Sequence, residues 1–249
     1  MRYKGLIALG VAAVLGFAAA TLPASVLGKL AERHGVRAAS WTGTVWSGAA
    51  DGVVGNGAFL GAVRWTLSPW SLLGGRLAGH AELAPPDGTA NGDFALRTGG
   101  RAELANVNAD VPLAWLNTLT KTKFRGWDGR VSAKLASLVL ADGWPVAAQG
   151  SVAIDDLSAP PSRGGRIGSY ELVFPATAAS DNGLRGQLTD IDGPLAVSGE
   201  LVLAAGRSFD LQGFVAKRSG ERTPFDNAIA LLGSPDASGR RPFGLSGTL

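Results

Sequence analysis

The sequence predicts a mainly β protein: one N-terminal transmembrane helix, then a long, curved, largely antiparallel sheet, a meander or half-barrel, with a few short helices. Three observations lead there. The chain opens with an uncharged run long enough to cross a bilayer, and most of the remaining chain alternates apolar and polar residues at the two-residue period of a strand. Glycine, at 36 of 249 residues, has about twice its usual share of about 7%, while charged residues make up only 17%. Such a balance favours strands and turns over helices.

The uncharged run is Gly5 to Leu22, preceded by Arg2 and Lys4 and closed by Pro23. Its apolar surface comes from Leu6, Ile7, Leu9, Val11, Val14, Leu15, Phe17 and Leu22. At about 1.5 Å per residue it covers roughly 27 Å as a helix, close to the roughly 30 Å of a hydrocarbon core. Arg2 and Lys4 set the topology: the positive-inside tendency keeps their end cytoplasmic and sends the body across. Ala18-Ala19-Ala20 also offers the small-residue pattern of a signal-peptidase site. The uncharged segment runs on to Gly28, however, longer than a typical export signal's core, which favours an uncleaved anchor.

This divides the chain into an anchor over 1–22, a stalk over 23–35 and a β-rich body over 36–249. In the stalk, Ala24 to His34 reads as a short helix with Val26, Leu27 and Leu30 on one side and Gly35 as its stop. From Val36 to Val54, β-branched and aromatic residues divided by small ones predict two paired strands. The next run puts Phe59, Gly61, Val63, Trp65 and Leu67 on one face and Leu60, Ala62, Arg64 and Thr66 on the other. Ser68 is then placed to cap a single helical turn that starts at Pro69 and stops at Gly74, before a strand over Arg76 to Leu83.

In the middle, Ala90 to Arg97 and Arg101 to Asn108 predict a hairpin across Thr98-Gly99-Gly100, and Asp110-Val111-Pro112 a short helix over LAWLNTL. Lys121, Lys123, Arg125 and Arg130 read as a solvated loop that could also meet lipid phosphates. Gly129 to Leu140 and Pro145 to Leu157 make another hairpin, turning at Asp142-Gly143, and 158–165 is the best internal boundary. Leu195, Val197, Gly199, Leu201 and Leu203 alternate with polar or small neighbours, as do Phe209, Leu211, Gly213 and Val215. Thr223-Pro224 then opens a helix over FDNAIALL, and Arg241 to Leu249 is a closing strand. The expected total is about twelve strands and four short helices.

A search for chemistry returns little. No cysteine is available for disulfides or thiolate metal sites, and His34 and His80 lie in different elements without ligand spacing. There is no nucleophile elbow and no phosphate-binding loop, and Gly55-Asn56-Gly57 followed by Gly61 does not open a helix. Asp155-Asp156 and Asp190 with Asp192 sit in turns, where aspartate accepts local backbone N–H groups. The chain does not read as an enzyme, and no catalytic, cofactor or metal residue is nominated. A net charge of +3 with scattered basic residues gives no nucleic-acid site.

What stands out is Trp41-Thr42-Gly43-Thr44-Val45-Trp46-Ser47-Gly48. Residues five apart on a strand face opposite ways, so Trp41 and Trp46 share a face only if a bulge at Gly43 shifts the register. The rings then either cap the core or form an exposed contact surface. Trp41, Gly43, Thr44, Trp46 and Gly48 are accordingly the candidate contact residues.

Together with the basic start and single anchor, LPASVLGKL, GTVWSG, VRWTLSPWSLLGGRLAG and the terminal AIALLGSPDASGRRPFGLSGTL resemble the type II secretion system protein N family over nearly the whole chain. That resemblance implies an accessory protein of the bacterial inner membrane, single-pass, with a periplasmic β-rich body and other secretion components as partners. It carries over no catalytic residue. An anchored periplasmic sheet curved into a trough also resembles AsmA-like lipid-transfer proteins, which makes lipid the alternative partner.

Overall fold

The structure is a computed structural model that describes residues 17–18, 20–55, 57–119, 126–160, 165–176, 179–180, 183–204, 206–218 and 229–248. Most of the anchor run (Gly5, Leu6, Ile7, Leu9, Val11, Val14 and Leu15), Arg2, Lys4, the Lys121, Lys123 and Arg125 cluster, and the cap at Thr223-Pro224 lie outside them. Among the described residues no helix is long and apolar enough to cross a membrane.

After Pro23 the chain forms α1 (Ser25–Arg33), then β1 (Val36–Arg37), β2 (Ser40–Gly43), β3 (Ser47–Gly55), β4 (Ala58–Leu67), a 3-10 turn (Pro69–Gly74), β5 (Arg76–Ala84), β6 (Thr89–Arg97) and β7 (Arg101–Pro112). Next come α2 (Leu113–Leu119), β8 (Asp128–Ala141), β9 (Trp144–Ser158), β10 (Arg166–Phe174), β11 (Ala179–Ser180), β12 (Gly183–Asp192), β13 (Leu195–Ala204), β14 (Ser208–Lys217) and β15 (Arg241–Thr248). All fifteen strands belong to one open antiparallel sheet, in chain order from β3 to β15. The short pieces explain the excess over twelve: β1 and β2 both run along β3, and β11 pairs only with β12.

Alternation predicted the faces, and the register shows how far they extend. Val63 lies opposite Leu83, Phe94 opposite Leu104, Leu172 opposite Leu188 and Leu201 opposite Leu211, so one continuous apolar face runs from β4 to β15. The other face carries Arg64, Glu82, Asp93, Glu103, Lys134, Gln187 and Glu200.

Coiling turns the apolar face into an interior. The Trp144 indole N–H donates to the Ala204 carbonyl at 3.1 Å, and Arg207 donates to the Asp142 carbonyl at 2.8 Å. β9 and β13 are three ladder steps apart, which a flat sheet would hold at about 14 Å. The strong twist this requires folds Leu135, Ala148, Phe174 and Leu184 into a buried cluster, against which Val107, Leu138, Val152, Leu172 and Leu203 pack. A second cluster joins Leu195 and Val215 to Ile229, with Leu232 and Phe243 beside them. At the other end the Trp115 indole donates to the Phe59 carbonyl at 2.7 Å, tying α2 to β4.

Two local expectations need correction. Phe59 does not share a face with Val63. Gly61 takes φ +85° in a register shift between β3 and β4, which brings Leu60 onto the groove beside Val53 and Val63 and leaves Phe59 half exposed. Ser68 makes no side-chain cap; Ser71 Oγ donates to its carbonyl instead, and Gly75 rather than Gly74 takes the left-handed stop. The helix expected over LAWLNTL is present as Leu113–Leu119, and Asp110 to Pro112 just before it remain paired with β8. Across 158–165 the ladder continues, Arg166 lying opposite Ser158.

Candidate functional site

The candidate surface begins where the chain leaves its apolar N-terminal run. The Leu22 carbonyl accepts the Val45 N–H at 2.8 Å, Pro23 bridges Thr44, and the Ala24 N–H donates to the Gly43 carbonyl at 3.1 Å. The segment before α1 is thus stitched to the turn between β2 and β3. That turn is built for it: Gly43 has φ +82°, where a Cβ would press on the Ser47 carbonyl, and the Thr44 N–H donates to that same carbonyl at 2.8 Å. The Thr44 hydroxyl also accepts the Ser47 N–H at 3.1 Å.

Gly43 ends β2, and Trp46 falls in the turn, where its carbonyl accepts the Leu67 N–H. Trp41 meets Trp65 edge to face, with centroids 6.0 Å apart and planes at 61°. Gly48 lies opposite Trp65, and its missing side chain leaves room for that indole, whose N–H reaches the Val45 carbonyl at 2.9 Å. Gly28, buried in the middle of α1, gives Trp41 the same kind of room. Trp65 and Gly28 complete an arrangement that the motif alone did not show, and a glycine in the middle of an amphipathic helix was the available signal.

Beneath α1 this leaves an open groove of about 470 Å³, walled by Leu27, Leu30, Ala31, Trp41, Val53, Leu60, Val63 and Trp65, with His34 at one side. A second groove of about 310 Å³ shares Val63 and continues along Ala81, Leu83, Phe94, Leu104 and Val107. Among the described residues the face expected to hold a core is therefore uncovered from β4 to β7. α1 covers part of one end, and coiling closes the middle.

Polar groups along the sheet are locally paired. His80 Nδ1 lies 2.8 Å from Asp93, and Asn106, in the left-handed conformation at φ +52° on β7, donates to the same carboxylate at 2.8 Å. The Asn106 hydrogen bond first, and His80 second, hold the Asp93 carboxyl below the ordinary carboxylate range. Asp192 is lowered chiefly by Arg166, which reaches it at 2.6 Å, and the same arginine bonds Asp156 at 3.1 Å. Asp190 accepts the Val197 N–H at 2.7 Å and pairs with Arg218. These aspartates thus serve arginines as well as local backbone.

The pH dependence follows from the sign of those shifts. A depressed folded pKa adds stability that is complete above the unfolded value and lost as pH falls through the folded one. Stability is therefore expected to drop as pH falls below about 3.8, the ordinary value from which Asp93 and Asp192 are both lowered. Asn106→Ala should shrink that acid-dependent loss, read as the difference between urea midpoints at neutral pH and near pH 3.

Comparison with curated proteins and with solved structures gives no match. The family model described as Type II secretion system (T2SS), protein N matches residues 34–244, from the end of α1 into β15. The chain belongs to the type II secretion system protein N family, and so to the accessory proteins of that secretion machinery.

Proposed function

We propose that the protein is a non-enzymatic assembly subunit held in the bacterial inner membrane by Gly5 to Leu22, with its sheet in the periplasm, where it takes part in the export of folded proteins across the outer membrane. Membership of the protein N family over residues 34–244 carries this reading. Arg2 and Lys4 supply the cytoplasmic charge that sets the topology, and residues 17 to 24 lead from the apolar run into the sheet. Other secretion components are the partners, and the free edge is where they dock: among the described residues β15 pairs only with β14, so its outer backbone groups are open to an added strand.

Deleting the gene is expected to leave folded exoproteins stranded in the periplasm, with the wild-type gene restoring export. A chain carrying Leu245→Pro, a half-exposed position in β15, should restore it poorly while accumulating to the wild-type level. Normal secretion in the deletion strain would exclude the assembly role. Full rescue by Leu245→Pro would exclude this edge as the contact.

A further inference from the structure

We propose that the groove beneath α1 binds one acyl chain of an anionic membrane phospholipid, taken from the leaflet that the N-terminal segment enters; this rests on reading Gly5 to Leu22 as the anchor. The walls decide the chemistry. Leu27, Leu30, Trp41, Val53, Val63 and Trp65 present carbon almost everywhere, so a polar peptide entering there would lose hydration without gaining hydrogen bonds. A hydrocarbon chain suffers no such loss, and every methylene it buries adds to its hold.

Length agrees. From β2 to β7 the two grooves cross five ladder steps, about 24 Å along the sheet, more than the roughly 15 Å that one leaflet's chains occupy. Position agrees as well, because the backbone bonds from Leu22 and Ala24 to the turn between β2 and β3 hold the membrane-entering segment at the same end of the sheet as the groove. A chain sliding out of the bilayer there meets apolar surface without crossing water.

Charge selects the headgroup. Leu27, Leu30 and Ala31 of α1, and His34 just past it, face the groove, while Lys29 and Arg33 lie one turn apart on the flank, next to exposed Val26 and Leu30. No ion pair engages Lys29 or Arg33 among the described residues, so both are available to a phosphate. An apolar edge bordered by cations is the arrangement by which a short helix lies against anionic lipid. Each such cation adds about 1 kcal/mol near a charged surface, roughly fivefold.

The test uses the full chain in vesicles of phosphatidylethanolamine and phosphatidylglycerol, with photoreactive p-benzoylphenylalanine replacing Val63 on the apolar face or Arg64 on the opposite one. Irradiation is expected to attach phospholipid at least about tenfold more at position 63, and Lys29→Gln with Arg33→Gln should lower the phosphatidylglycerol share about fivefold for each charge removed. As a check independent of folding of those variants, unsubstituted protein is irradiated with a phosphatidylglycerol bearing a diazirine in its acyl chain, which should mark α1 and β4. Equal labelling at 63 and 64, adducts with polypeptide instead of lipid, or label confined to the polar face would overturn the proposal. Alkaline extraction of the same vesicles, with and without Gly5 to Leu22, reads the anchor separately: release of the intact chain would sink the anchor while leaving the groove to be judged by its adducts.

Discussion

Leu184→Ala is expected to destabilise the protein by about 2–5 kcal/mol. Leu184 is 1% exposed and is the largest fully buried side chain among the described residues. It lies where the coil closes: opposite Leu203 across the ladder, and in one cluster with Leu135, Ala148 and Phe174 from β8, β9 and β10. Strands on several sides cannot all move inward to fill the lost volume, so a cavity remains. Against a typical stability of about 5–15 kcal/mol, that loss brings a substantial unfolded population. Urea unfolding followed by tryptophan fluorescence checks it, with Leu245→Ala as the comparison. Leu245 occupies the same face but is 59% exposed, and its truncation should cost less than about 1 kcal/mol. Similar losses at both positions would mean that the coil does not bury this face.

Gly61→Ala is expected to cost about 3 kcal/mol and to disrupt the groove as well. At φ +85° the backbone is strained for any residue with a Cβ, and that Cβ would land on the Ala84 carbonyl, which belongs to backbone rather than to a flexible side chain. β4 must therefore separate from β5 or straighten its bulge. Straightening reverses the faces of Phe59 and Leu60, taking Leu60 out of the groove that it shares with Val53 and Val63. Denaturation midpoints read the first effect, and the spectrum of the nearby Trp65 reads the second. The neighbouring Ala62→Gly should leave the tryptophan environment unchanged, since Ala62 stays in register with Ala84.

What the sequence disclosed was whatever depends on period and punctuation. Leu195 to Leu203 and Phe209 to Val215 declared their apolar face directly, and Asp142-Gly143, with φ +50° and +77°, declared the turn between β8 and β9. What stayed hidden were departures from period two: the bulge at Gly61 and the left-handed Asn106, each of which re-aims side chains without altering composition. Coiling was hidden for another reason. The Trp144 bond to the Ala204 carbonyl joins residues 60 apart in sequence through accumulated twist, a sum over strands that no local pattern reports. Within the candidate surface, Gly43 was read as the site of a bulge, whereas it ends β2 at φ +82° just before the turn. The pairing of Trp41 with Trp65 required knowing which strand lies next to which.

The strict chain order of the sheet also bears on how the molecule comes to be folded. From β3 to β15 each long strand pairs with the one made just before it, so most hairpins close a short loop, and only the connections into β8 and β15 are long. A chain that emerges N-terminus first can therefore lay down its ladder rung by rung, starting from β3 and β4. While the ladder grows, the newest strand is always a bare edge, and among the described residues β15 keeps that condition. Any interruption of synthesis leaves a shorter sheet of the same kind with a sticky rim, so the period of greatest exposure to wrong partners is assembly itself.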